Sequence, residues 1–168
     1  AQPAIQYEMI PLDGEPKGSP FAGYPTPETE AAWGQLMKGI NIKIFPDEME
    51  RLGYTSLVMK DGSGFLGALG VYHELHCIKR LRKWIYRDYF YPNMTEIEYE
   101  ERSSHAEHCL EQIRQSAVCR GDITVTPFHC EGILHQCVKW DGIAQWAKSR
   151  RVDLFDKSLL VPESRGQM

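Results

Sequence analysis

One pattern is written twice in this chain, 32 residues apart. The first copy is His73-Glu74-Leu75-His76-Cys77-Ile78, followed by Leu81 and Arg82. The second is His105-Ala106-Glu107-His108-Cys109-Leu110, followed by Ile113 and Arg114. Helical positions i, i+3 and i+4 fall on one stripe. His73, His76 and Cys77 therefore share a face, as do His105, His108 and Cys109. The aliphatic residues Ile78, Leu81 and Ile85 of one copy, and Leu110, Ile113 and Ala117 of the other, sit about a third of a turn away. Each segment can bury one flank and present imidazoles beside it. Two such helices packed together bring four imidazoles to one place.

Imidazole is the commonest neutral metal ligand and suits copper, zinc, iron and nickel. One His-x-x-His pair is a weak signal, because a lone histidine beside an apolar face is usually structural. Two aligned copies in a chain with six histidines are far more specific. His73, His76, His105 and His108 are the candidate metal ligands and catalytic residues. The zinc-protease motif is excluded, since it needs histidines at i and i+4 and here the second comes one residue early. Ser104 and Glu107 have the spacing of a capping box, and Glu74 reads as an exposed helical glutamate. Arg80 and Trp84 extend the first histidine stripe by one and two turns and are the candidate substrate-binding residues. Arg80 either grips a substrate carboxylate or pairs with an acidic neighbour. Arg82 and Arg114 point elsewhere and read as structural ion-pair partners. Tyr86, Tyr89 and Tyr91 read as core or rim residues.

Around the motifs, helices are expected at 72–90 and 105–119. A first helix opens at Thr26-Pro27, with Glu28 and Glu30 suiting its dipole and Gly39 stopping it. Trp33, Leu36 and Met37 form its apolar stripe. Residues 40–44 alternate as a strand, 47–52 form a short helix ended by Gly53, and Thr55 to Val71 reads as a hairpin about Asp61-Gly62. Residues 122–128 and 133–138 are candidate strands, and 141–150 a final helix carrying Ile143 and Trp146. Residues 1–27, rich in Pro and Gly, read as an irregular arm, 28–150 as the catalytic domain and 151–168 as a tail. The expected fold is α+β and helix-dominated, a single domain with two central motif helices and a few short antiparallel strands.

The net charge of -4, with no Lys/Arg cluster, argues against a nucleic-acid partner. No apolar run approaches the length that spans a bilayer. The chain opens on Ala1, which suits a mature chain or a domain cut from an N-terminal targeting segment. Asn93-Met94-Thr95 is a glycosylation sequon, and five cysteines suit an oxidising compartment. Cys77 and Cys109 are either thiolate ligands or disulfide partners. With Cys119 and Cys137 they read as disulfide candidates of unassigned connectivity. Cys109–Cys119 is disfavoured within one continuous helix, where ten residues span about 15 Å. His135, on one side of a strand with Cys137, is a further candidate metal ligand; His129 is a weaker one, and Cys130 has no assigned role.

The paired His-x-x-His-Cys motifs resemble those of the UstYa-like proteins, fungal oxidases of secondary-metabolite pathways. Gly23-Tyr24-Pro25 with Glu28 and Ala32-Trp33 is similar to the family's arm before its first helix. Arg114-Gln115, Cys119 and Asp122-Ile123-Thr124 resemble the stretch after its second motif. His135-x-Cys137 with Ile143 and Trp146 is similar to its C-terminal signature, so the likeness covers roughly residues 20–147. Two departures are Val138-Lys139-Trp140, where the family has an Arg-Asp-Phe-like run, and the additional Cys130; they leave the motifs intact and bear on the substrate surface.

The resemblance implies copper, one or two ions, held by His73, His76, His105 and His108. It implies oxidative tailoring of a peptide or other small molecule, such as oxidative cyclisation, with dioxygen or peroxide as co-substrate. The alternatives are copper-dependent halogenation or hydroxylation, a zinc- or disulfide-stapled binding module, and an accessory subunit of a homo- or hetero-oligomer with a related chain. It further implies a domain in the secretory lumen, glycosylated and anchored by an N-terminal transmembrane helix outside this chain.

Overall fold

The computed structural model describes residues 1–12, 14, 16–125, 132–156 and 158–159. Its described residues form a helix-dominated α+β structure with short antiparallel strands. They group into two compact units. One comprises Gln6–Met37 and Gly70–Lys139, and the other Ala1–Ile5, Lys38–Leu69 and the chain from Trp140 onward.

The first unit carries both motifs. It contains strand β1 (Tyr7–Leu12) and helix α1 (Pro27–Leu36). Thr26 caps α1: its hydroxyl accepts from the Thr29 N–H at 3.3 Å, and the Thr29 hydroxyl accepts from the Thr26 N–H at 2.9 Å. Trp33 is buried, donates its indole N–H to the Phe21 carbonyl and meets the Phe21 ring edge-on. Farther along the chain this unit adds helices α3 (Gly70–Ile85), α4 (Arg87–Phe90) and α5 (Glu96–Arg120), and strand β4 (Ile133–Val138). Arg82 of α3, only 7% exposed, is ion-paired with Glu30 and hydrogen-bonded to Thr29, which fastens α3 to α1. β1 and β4 pair antiparallel, with Tyr7 opposite Val138, Ile10 opposite His135 and Leu12 opposite Ile133. Helices α3 and α5 pack together with the buried Cys77 and Cys109 in contact across them, and Tyr72 of α3 and Ala106 of α5 are buried as well.

The second unit contains β2 (Ile42–Ile44), α2 (Pro46–Leu52), β3 (Phe65–Gly67) and α6 (Trp140–Ser149). Among the described residues its buried apolar side chains are Ile42, Met49, Met59, Ile143, Ala144, Ala147 and Val152. Glu48 is ion-paired with Arg150, and the Lys43 N–H donates to the Arg150 carbonyl at 2.8 Å.

Several boundaries differ from expectation. Residues 7–12, inside the arm read as irregular, form β1, because β4 supplies a partner strand about 125 residues away that no local pattern announces. The first motif helix stops at Ile85, and Tyr86 leaves helical geometry before the short α4. The second motif helix starts nine residues early. Its capping box is Thr95 with Glu98, not Ser104 with Glu107. Val58 bridges to Phe65 as the hairpin requires, but β3 pairs along its length with β2. Residues 122–125 take no regular structure; the rest of that expected strand, with His129 and Cys130, lies outside the described residues.

Candidate metal centre

Helices α3 and α5 run antiparallel, so the two motifs meet head to tail. His73 faces His108 with ring centroids 6.2 Å apart, and His76 faces His105 at 6.0 Å. Within each helix the i, i+3 spacing sets His73–His76 at 6.4 Å and His105–His108 at 6.0 Å. The four rings form a quadrilateral with a pseudo-two-fold relation between the motifs. None of them makes a hydrogen bond or ion pair among the described residues. Burial first, then the Arg80 guanidinium, then neighbouring imidazoles lower His76 and His105 from the ordinary histidine value of 6.5. Both rings are thus held in the neutral form that binds metals.

By donor type the quartet fits a copper or zinc ion. By spacing it fits only in part. With metal–nitrogen bonds of about 2.0–2.1 Å, neighbouring imidazoles of a tetrahedral four-ligand set would have centroids about 5.2 Å apart. The observed edges of 6.0–6.4 Å are longer than that. Consistent with this, among the described residues no group of three or more His, Cys, Asp or Glu side chains stands close enough to hold an ion as placed. No hydrogen bond locks the four rings, so rotation about their side-chain torsions can close the gap.

The other candidates are distributed unevenly. Cys77 and Cys109 are fully buried neighbours at the α3–α5 interface, and all four described cysteines are free thiols. Burial, then the adjoining Cys77, push the Cys109 thiol up to about 12. Cys119 is exposed on the last turn of α5, and Cys137 is half-buried on β4. His135 contacts Asp122 at 3.0 Å and makes no ring contact with the quartet among the described residues. Thr124 first, then His135, hold the Asp122 carboxyl down at about 2.

Arg80 and Trp84 do lie beside the quartet. They line a pocket of about 200 Å³ with Tyr91, Glu101, Arg102, His105 and Ala106. Arg80 has no acidic partner among the described residues, so the ion-pair alternative fails there. Arg114 pairs locally with Glu111 and holds that carboxyl at about 2, as expected of a structural arginine. Glu74 is not a free surface glutamate; it is ion-paired with Arg120 across the two helices. Arg102 lies outside the helix expected over 105–119 but within α5, which begins at Glu96. It sits three residues before His105, on the same stripe of the longer α5.

The family model described as "Mycotoxin biosynthesis protein UstYa" matches residues 1–150. The chain belongs to the UstYa family. Among its UstYa relatives, the family oxidase phomYc of Diaporthe leptostromiformis is 32% identical over 165 residues, 86% of this chain and 64% of phomYc. The oxidase ustYa of Aspergillus flavus is 28% identical over 95 residues, 50% of this chain and 41% of ustYa. The hydroxylase cctR of Talaromyces islandicus is 29% identical over 86 residues, 47% of this chain and 31% of cctR. This UstYa chain thus spans less than two thirds of the length of these relatives. No solved structure matches.

Proposed function

We propose that this chain is a copper-dependent oxidoreductase that tailors a fungal secondary metabolite, with His73, His76, His105 and His108 as the copper ligands. The observation that carries the proposal is the quartet itself: four imidazoles in mutual ring contact, drawn from two helices and bonded to nothing else described. The relatives named oxidases and a hydroxylase favour oxidative chemistry. One or two ions are compatible with the number of nitrogens. Copper held there would supply one-electron redox chemistry with dioxygen or peroxide as the oxidant.

The chain's own contribution is positional. Two rings per helix, fixed by the Cys77–Cys109 contact and by the Arg82–Glu30 anchor on α1, keep the donors on one face. Arg80 and Trp84 orient the substrate beside His105. His135, with its carboxylate partner Asp122, has the form of an oriented ligand, but makes no ring contact with the quartet among the described residues. Cys77 and Cys109, adjoining free thiols in this structure, are the pair placed to form the expected disulfide on oxidation, since each motif contributes one.

Metal analysis of purified protein after copper loading, with an EPR spectrum, tests the proposal. One or two tightly held coppers with a nitrogen-rich signal are expected. His73→Ala or His108→Ala should abolish both loading and turnover. Full activity in either variant, or zinc that copper does not displace, would sink it.

A further inference from the structure

We propose that the pocket beside His105 is an anchoring site for a carboxylate borne next to an aromatic or other planar group of the substrate. This takes the imidazole quartet as the reaction centre, as proposed above, and adds the chemical class of the group held next to it.

The charges in the pocket are unbalanced. Arg80 of α3 and Arg102 of α5 both line it, against one acidic residue, Glu101. Neither arginine makes a hydrogen bond or ion pair among the described residues. The Arg102 Nε is buried without any partner. A guanidinium carries five N–H donors in a planar fork that matches a carboxylate. The buried Arg102 Nε is costly to leave unmatched, and an anion in the pocket would meet two guanidinium groups with no carboxylate of their own.

The remaining walls set the shape. The Arg102 guanidinium lies 3.8 Å from the centroid of the Tyr91 ring, which fixes its plane and leaves its N–H edges for a ligand. Trp84, whose ring packs at 5.2 Å on Tyr99 and lies 5.5 Å from the Arg87 guanidinium, supplies a second flat wall. A planar group can therefore stack while its carboxylate reaches the arginines. At about 200 Å³ the pocket is smaller than the ~300–1,000 Å³ of a complete small-molecule site. It holds one end of a substrate, about the size of a single aromatic residue.

The pocket also breaks the symmetry of the two motifs. At the shift of 32 residues, Arg80 corresponds to Gln112 and Trp84 to Ser116. Arg80 and Trp84 thus have no counterpart of the same type in the second motif. This gives the quartet one substrate side, next to His105 and, through Arg80, to His76.

Metal-free protein provides the test, so that the result does not depend on the copper assignment. N-acetyl-phenylalanine and its uncharged amide would be titrated against protein labelled with 15N at the tryptophan indoles. The Trp84 resonance would be assigned from Trp84→Phe. The acid should shift the Trp84 signal and bind about tenfold or more tightly than the amide. Arg102→Gln and Arg80→Gln should each abolish that preference while the other indole signals stay at their native positions. Arg102→Lys, which keeps the charge but loses the fork, should retain only part of it. Equal binding of acid and amide, or no response at Trp84, overturns the proposal. Failure of the wild-type protein to hold copper would overturn the proposed function instead and leave this preference intact.

Discussion

Two of the motif histidines, His76 and His105, are held as neutral bases, and this fixes how the metal-free protein should respond to acid. His76 and His105 are lowered from 6.5 mainly by burial and then by Arg80. The folded state resists their protonation, whereas the unfolded chain accepts protons near the ordinary value. Above about pH 6.5 both states hold the rings neutral, and the two residues contribute nothing to the pH slope. As the pH falls below that, the unfolded state binds more protons and stability drops. The lowered carboxylates, such as Glu48 with an ordinary value of 4.5, act only in a more acidic window. Urea denaturation of metal-free protein at about pH 7.5 and about pH 5.5 should therefore show a lower midpoint in acid. His76→Gln or His105→Gln should flatten that difference, and an undiminished slope in both variants would count against the neutral-base assignment.

At the scale of elements, the anchor between α1 and α3 is the contact most exposed to a single change. Arg82 is buried while Glu30 is only partly so, and Thr29 takes a second guanidinium nitrogen. Breaking a fully buried pair costs about 3–5 kcal/mol; with one partner partly solvated, Glu30→Ala should cost about 2–3 kcal/mol, read from the urea midpoint at constant slope. Glu111→Ala should cost little, since its pair with Arg114 is solvent-exposed. The contrast is informative because Arg82 and Arg114 occupy equivalent places in the repeat. The repeat in the sequence foretold the paired helices and the meeting of the imidazoles, since helical periodicity alone puts them on matching stripes. It did not foretell the start of α5. Residues 96–104 are nearly all polar, with Ile97 and Tyr99 largely exposed, so no apolar period marks that turn. The structure uses the capping box of Thr95 with Glu98 in place of the expected Ser104 with Glu107, and the two share the same spacing, so local chemistry does not choose between them. Misplacing that boundary hid Arg102 and half of the pocket. The β1–β4 pairing was illegible for another reason: Tyr7–Leu12 contains Pro11 and is mostly exposed, so it lacks the alternation of a half-buried strand.

For the molecule as a whole, disulfides and N-glycosylation both presuppose passage through an oxidising lumen. No helix among the described residues is long and apolar enough to cross a membrane, so a test of the lumenal setting that the family resemblance implies needs a marker carried by the domain itself. Asn93 supplies one. It is exposed, between α4 and α5, with Thr95 two residues on. Thr95 has two duties, because it completes the sequon and also caps α5 by accepting from the Glu98 N–H. The duties separate by substitution. When the chain is secreted from a eukaryotic host behind a signal peptide, an endoglycosidase should remove a single glycan, detected by mass. Asn93→Gln should lose the glycan and keep the cap. Thr95→Ser should keep both. Thr95→Ala should lose both and destabilise the unglycosylated domain by about 1 kcal/mol relative to Asn93→Gln. An unmodified Asn93 in secreted wild-type protein would remove this support for a lumenal domain. Equal stability of Thr95→Ala and Asn93→Gln would mean that α5 does not depend on Thr95 for its start.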